Sequence, residues 1–182
     1  MAFNAWHSIN YGDENGEAVN GIIEISKGSR AKYEICKETG MLTLDRVLYS
    51  SVYYPANYGF IPQTYCDDND PLDILIISQI DILPMTQVEA KIIGVMKMID
   101  QGEADDKIIA VATQDMSVAH YNDISELPEY FLKEIRQFFL EYKALENKEV
   151  DVQNILGAEE GKRIYKQSII DYREKILPTL NK

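Results

Sequence analysis

The stretch VEAKIIGVMKMI, Val88 to Ile99, decides the fold. Read as a strand, it is the long member of a series. Ile22–Ser26 (IIEIS), Ala31–Cys36 (AKYEIC), the run MLTLDRVL from Met41, Asp73–Ile77 (DILII) and Lys107–Ala112 (KIIAVA) are the others, with KIIAVA the last. Gly28-Ser29 and Glu38-Thr39-Gly40 separate the first three at the spacing of a β-meander. At least five strands before any clear helix predict an α+β chain, mainly β, built as a small barrel with its helices gathered at the C-terminal end. The first helix begins at Pro128, whose ring suits a first turn, and its stripe Phe131, Ile135, Phe138, Tyr142, Leu145 steps by four, three, four and three. The second runs from about Ala158 to Leu177, with Tyr165, Ile169, Tyr172 and Ile176 at the same spacing. No repeat, low-complexity segment or linker interrupts the chain, so residues 1–182 are expected to form a single domain. Residues 1–20 carry no readable motif.

Composition narrows the function. The chain has 182 residues, 46% of them apolar, enough for a sizeable core. Its formal net charge of −12 argues against nucleic acid and against an anionic membrane surface, both of which select basic faces. Cys36 and Cys66 form neither a metal-ligand pair nor a disulfide framework. With no basic leader and no bilayer-length apolar run, a cytoplasmic location is the default expectation.

Two acidic turns carry the chemistry. YCDDNDPLDILII, Tyr65 to Ile77, crowds Asp67, Asp68, Asp70 and Asp73 against a buried strand. MKMIDQGEADDK, Met96 to Lys107, closes the long strand with Asp100, Glu103, Asp105 and Asp106. Carboxylates in contact repel by roughly 1 kcal/mol per pair even in water. A hard divalent cation converts that cost into binding. An EF-hand fails the test, because counting from Asp68 the sixth position is Asp73 rather than Gly and the twelfth is Gln79 rather than Glu. A single acidic turn is as readily a solvated one; two at the ends of buried strands are able to converge. Asp100 shares strand parity with Met96 and Met98.

Cations stand at similar positions. Lys32 and Glu34 share one strand face, and Arg46 shares parity with Leu42 and Leu44, which places a guanidinium toward the core, as a structural ion pair or as an anion ligand. YYPANYGFIPQT, Tyr53 to Thr64, sets three tyrosines among Pro55, Gly59 and Pro62, and reads as a packed loop rather than a central strand. Tyr142 lies on the apolar stripe of the first helix, with Lys143 beside it near the helix C-terminus.

Together these segments resemble the soluble family I inorganic pyrophosphatases. The signature is D-N-D-P-L-D-I at Asp68–Ile74, and the likeness runs from IIEIS, KYEIC and LDR through YYPANYGFIP and MIDQGEADDK to FFLEYK. The resemblance implies a five-stranded OB-like barrel with flanking helices, and Mg²⁺-dependent hydrolysis of pyrophosphate to two orthophosphates by in-line attack of a metal-bound hydroxide. It implies Asp70 as the base. Asp68, Asp73 and Asp105 match ligands of the tightest metal, with Glu34, Asp100 and Asp105 serving further ions. Lys32, Arg46, Tyr58, Lys107, Tyr142 and Lys143 match phosphate contacts, supported by Glu24 and Tyr54. Several Mg²⁺ ions per site are implied, with Mn²⁺ or Zn²⁺ as substitutes, and a homo-oligomer, the hexamer common among members of this length. Some members place interface histidines on the first long helix; this helix has none. The readings set against it are a nucleic-acid- or sugar-binding barrel, which would want a basic groove, and a nucleoside-triphosphate hydrolase, for which no P-loop pattern is present.

Overall fold

Fourteen consecutive residues, Gln87–Asp100, form one strand in the computed structural model, which describes residues 3–180. In chain order the elements are α1 (Ala5–Ser8), β1 (Val19–Ile25), β2 (Ala31–Ile35), β3 (Leu42–Val47), β4 (Asn57–Phe60), β5 (Asp73–Ile77), β6 (Gln87–Asp100), β7 (Glu103–Ala104), β8 (Lys107–Ala112), α2 (Glu129–Glu141), β9 (Val150–Gly157), α3 (Ala158–Asp171) and α4 (Leu177–Leu180). A π turn, Tyr172–Ile176, joins α3 to α4.

β6 closes the sheet on itself. Strand order is β1-β4-β5-β8-β6, and the start of β6 pairs back onto β1 through Val19–Ala90 and Ile22–Gln87. The result is a five-stranded ring, which agrees with the OB-like expectation. β5 and β8 run parallel; the other pairs are antiparallel. The far half of β6 continues past the ring to pair β9 and β7. Side chains on both faces of β5 and β8 are buried, because the ring interior takes one face and the helices and loops take the other. Fully burying each such isoleucine contributes about 1.5–3 kcal/mol. One cluster, with Leu75, Ile93, Ile109 and Val111, packs under α2 through Ile135, Phe138 and Phe139. Another, with Ile74, Ile76, Ile92 and Ile108, packs under α3 through Tyr165 and Ile169.

Four expectations need correction. β2 and β3 form a separate two-stranded sheet and do not enter the ring, so the meander ends at β1. YYPANYGFIP contains a central strand, β4, all four of whose residues are buried. Its prolines bracket the strand instead of interrupting it, and Gly59 is what lets it pass: a Cβ there would lie 1.8 Å from the Ile22 carbonyl oxygen. KIIAVA is not the last strand, since β9 follows α2. Finally, α2 stops at Glu141, with Pro128 at its N-cap, and Leu145 sits 65% exposed on a following 3₁₀ turn.

Candidate active site

The two acidic turns meet the β2–β3 hairpin and the C-terminal end of α2 around one cavity of about 410 Å³. Asp73 opens β5 and Lys107 opens β8, and the parallel register sets them side by side. The Lys107 ammonium, 2% exposed as a residue, bridges the Asp73 and Asp105 carboxylates. The Tyr58 hydroxyl of β4 donates to Asp73 Oδ2 at 2.6 Å. Asp105 is held in place by its own backbone, whose N–H donates to the Met98 carbonyl at 2.9 Å. Asp100 ends β6 on the cavity side, as its parity with Met96 and Met98 predicted, and pairs with Lys143.

Other members come from the rim. On β2, Lys32 pairs with Glu34 and, at 3.3 Å, with Asp45. Beneath them Glu24 of β1 accepts the Ile35 N–H at 2.7 Å. Asp68 accepts the Asp70 N–H at 3.1 Å, which folds the acidic turn inward. Tyr142 is the C-cap of α2, and Lys143 follows it where the helix carbonyls end. Tyr54 lies fully buried between the Tyr58 and Phe138 rings, 5.3 and 4.6 Å from their centroids, and fixes the orientation of Tyr58.

One expected member stands apart. Arg46 does not line the cavity: its Nε donates to Glu146 at 2.7 Å and its Nη1 to Asp45. Nor does it follow the parity of Leu44, which is 56% exposed. A bulge between Lys32 and Tyr33 shifts the register, so that Lys32 faces Arg46 while Tyr33 faces Leu44. Arg46 Nη2 is buried and has no hydrogen-bond partner among the described residues. Conversely, the cavity includes Asn4, Trp6, Lys37 and Gln101, none of them singled out in the sequence, and Glu103 of the second acidic turn, to which no role was assigned. Lys37 carries the clearest missed signal, since it is a basic residue two positions beyond β2, directly after the KYEIC segment.

The charge balance of the cavity is uneven. Eight carboxyl groups, of Glu24, Glu34, Asp68, Asp70, Asp73, Asp100, Glu103 and Asp105, face the four ammonium groups of Lys32, Lys37, Lys107 and Lys143. Burial and the neighbouring carboxylates push Asp68 up to about 6 despite the Asp70 N–H. Burial likewise raises Asp105; Lys107 opposes this, but Asp73 and Asp100 add to it. Burial works against the charged form of Lys107, yet Asp73 and Asp105 hold it well above the ordinary lysine range. Glu24 is pushed up to about 8, chiefly by burial, and so is largely neutral at pH 7. Asp100 Oδ1 is buried and has no hydrogen-bond partner among the described residues. Among the described residues no three acidic, His or Cys side chains stand grouped to hold one ion as they are; Asp73 and Asp105 share Lys107, and Asp100 pairs with Lys143. The donor chemistry nevertheless fits a hard divalent cation: all-oxygen ligands, excess negative charge and an orphaned carboxylate oxygen.

Comparisons with known proteins agree with this geometry. A family model described as "Inorganic pyrophosphatase" matches residues 21–173. The chain is 50% identical to "Soluble inorganic pyrophosphatase 1" of Arabidopsis thaliana over all of this chain and 86% of that protein. It is 49% identical to "Soluble inorganic pyrophosphatase 2" of Chlamydomonas reinhardtii over 97% of this chain and 92% of the relative. Among solved structures, an inorganic pyrophosphatase from Thermus thermophilus superposes with a TM-score of 0.90 at 36% identity, covering 94% of this chain and 99% of that one. One from Helicobacter pylori gives 0.86 at 38%, covering 89% and 97%. With a family match over most of its length and half its residues identical to a relative aligned along the whole of this chain, it belongs to the inorganic pyrophosphatase family.

Proposed function

We propose that this cavity carries out the hydrolysis of pyrophosphate to two orthophosphates, with Asp70 accepting the proton of the attacking water. The supporting observation is the surplus of carboxylates around buried ammonium groups. Such a site is over-negative by itself and becomes balanced only when cations and a polyanion enter together. Asp68, Asp73, Asp105, Asp100 and Glu34 are the residues that would hold Mg²⁺, for which Mn²⁺ or Zn²⁺ would substitute. When bound, the ions supply neutralisation of phosphate charge and acidification of water.

The chain's own part follows from the contacts above. Lys107 and Lys143 are buried donors already desolvated, so their interaction with phosphate oxygens is stronger than in water. Lys32 offers the same from the hairpin. Tyr58 and Tyr142 keep their protons, because burial raises both above the ordinary tyrosine value, and so act as neutral hydrogen-bond donors. Arg46, with its unpartnered Nη2, completes the set if the hairpin moves toward substrate. Asp70 is held by Pro71, which restricts it to extended backbone, and by its N–H to Asp68, so its carboxylate stays at the cavity mouth. Glu24 and Tyr54 hold β2 and Tyr58 in register behind these groups.

Phosphate release from pyrophosphate, measured with Mg²⁺ and after exhaustive chelation, tests the reading; full activity in chelator would end it. Asp70→Asn should lower kcat by roughly 10²–10⁴-fold while leaving the Mg²⁺ concentration for half-maximal rate unchanged. Rescue by excess Mg²⁺ would make Asp70 a ligand instead of the base. We further propose a homo-oligomer, most simply a hexamer, acting in the cytoplasm as one domain over residues 1–182. In support, Ile80, Leu83 and Met116 are 65, 73 and 83% exposed and offer apolar surface for assembly. A monomer in light scattering across a broad concentration range would end that reading. Among the described residues no helix is long and apolar enough to cross a membrane.

A further inference from the structure

Three segments distant in sequence meet at Lys37. The β2–β3 turn that carries it is closed by Cys36 N–H to the Met41 carbonyl and Gly40 N–H to the Cys36 carbonyl, both at 2.8 Å. The turn is docked on the N-terminal segment. Asn4 uses both ends of its amide: Oδ1 caps α1 by accepting the Trp6 N–H at 2.9 Å, and Nδ2 donates to the Lys37 carbonyl at 2.8 Å. The Lys37 ammonium stands over the Trp6 ring, 5.6 Å from its centroid, and that ring is itself fixed by its Nε1–H to the Thr64 carbonyl at 2.9 Å. From this perch Lys37 pairs with the Asp70 carboxylate and donates to the Asn69 carbonyl at 3.3 Å. Among the described residues no other side chain bonds the Asp70 carboxylate.

We propose that Lys37 is a positioning residue for Asp70, aiming its carboxylate into the cavity. The proposal rests on the reading of Asp70 as the base. Both side chains are about half exposed, at 54% for Lys37 and 49% for Asp70, so the pair adds little to fold stability. What it does is remove rotational freedom from a side chain whose backbone is already fixed, and reaction rates are steep in that geometry. Lys37 does not touch the buried floor of the site, where Lys107 and Lys143 bind the other carboxylates.

The test is a double-mutant cycle on the full chain with Mg²⁺ and pyrophosphate. Lys37→Met should lower kcat about 10- to 100-fold with KM little changed and thermal unfolding unmoved, and Lys37→Arg should restore most of the rate. In an Asp70→Asn background, Lys37→Met should cost nothing further. A readout independent of turnover is acetylation of Lys37 by acetic anhydride in metal-free protein, followed by mass spectrometry; it should be faster in Asp70→Asn than in the wild type. Wild-type kcat in Lys37→Met, an undiminished loss in the Asp70→Asn background, or equal acetylation rates each overturn the proposal. If Asp70→Asn itself keeps wild-type kcat, the reading of Asp70 falls and this proposal with it. A crippled Asp70→Asn beside an unaffected Lys37→Met removes this proposal alone.

Discussion

At the scale of single residues, Gly59 is the position on which the ring most visibly depends. A methyl group there meets the Ile22 carbonyl oxygen at 1.8 Å, and neither β1 nor β4 has room to retreat between β5 and β6. Gly59→Ala should therefore destabilise the protein by about 3 kcal/mol or more, read as a lowered urea midpoint or loss of soluble protein. The carboxylates and lysines of the site are legible in the sequence because charge at the end of an apolar strand is costly without a partner. Arg46 is legible as the ion pair it forms with Glu146 but not by its parity with Leu44, since a bulge resets the alternation of β3 and no sequence pattern marks it. Lys37 is not legible, because the residues that hold it, Asn4 and Trp6, lie more than thirty positions away at a four-residue helix.

At the scale of elements, the strongly apolar or strongly periodic pieces were legible. DILII and KIIAVA are strands with the predicted ends, and the stripes of α2 and α3 pack as their periods require. β9 was not legible, because only Val152 of its eight residues is buried and its alternation is weak. It is a strand because the overhanging half of β6 offers it an edge. The ends of β5 and β8 are joined by a device also invisible in sequence. Asp115 accepts from the Ser78 hydroxyl at 2.9 Å, the Gln79 N–H at 2.7 Å and the Ser117 N–H at 3.1 Å. These bonds, with the Gln79 N–H foremost, hold its carboxyl pKa below the ordinary range, at about 2. A depressed carboxyl stabilises the folded state above its unfolded value and ceases to do so as pH falls through the folded one. Asp115→Ala should thus lower the melting temperature by a constant amount near neutrality, and the gap to wild type should close between about pH 4 and pH 2. A gap that persists at the acid end would assign the effect to packing rather than charge.

At the scale of the whole molecule, the acidic cavity couples stability to its ligands. Without cations the carboxylates of the two turns repel, so saturating Mg²⁺ should raise the melting temperature, by the equivalent of about 2.7 kcal/mol at a hundredfold excess over Kd. Asp105→Asn should lose most of that rise while leaving the metal-free protein as stable as wild type or more so; calorimetric titration with unfolding of the metal-free form measures both. The other global property lies in β6. Its first residues pair with Val19–Ile22 and its last with Val150–Val152, so one strand joins the two extremes of the chain. The ring cannot close early: β1 can pair β4 once residue 60 has been made, but its other edge, at Val19–Ile22, stays open until residues 87–90 have arrived. Folding should therefore be slow for a chain of this size, in the millisecond-to-second range rather than microseconds, and most prone to aggregate while β1 waits. The single tryptophan, Trp6, lies against Phe60 and Tyr172 and reports when the first and last segments come together, so stopped-flow fluorescence on dilution from urea would time that closure directly.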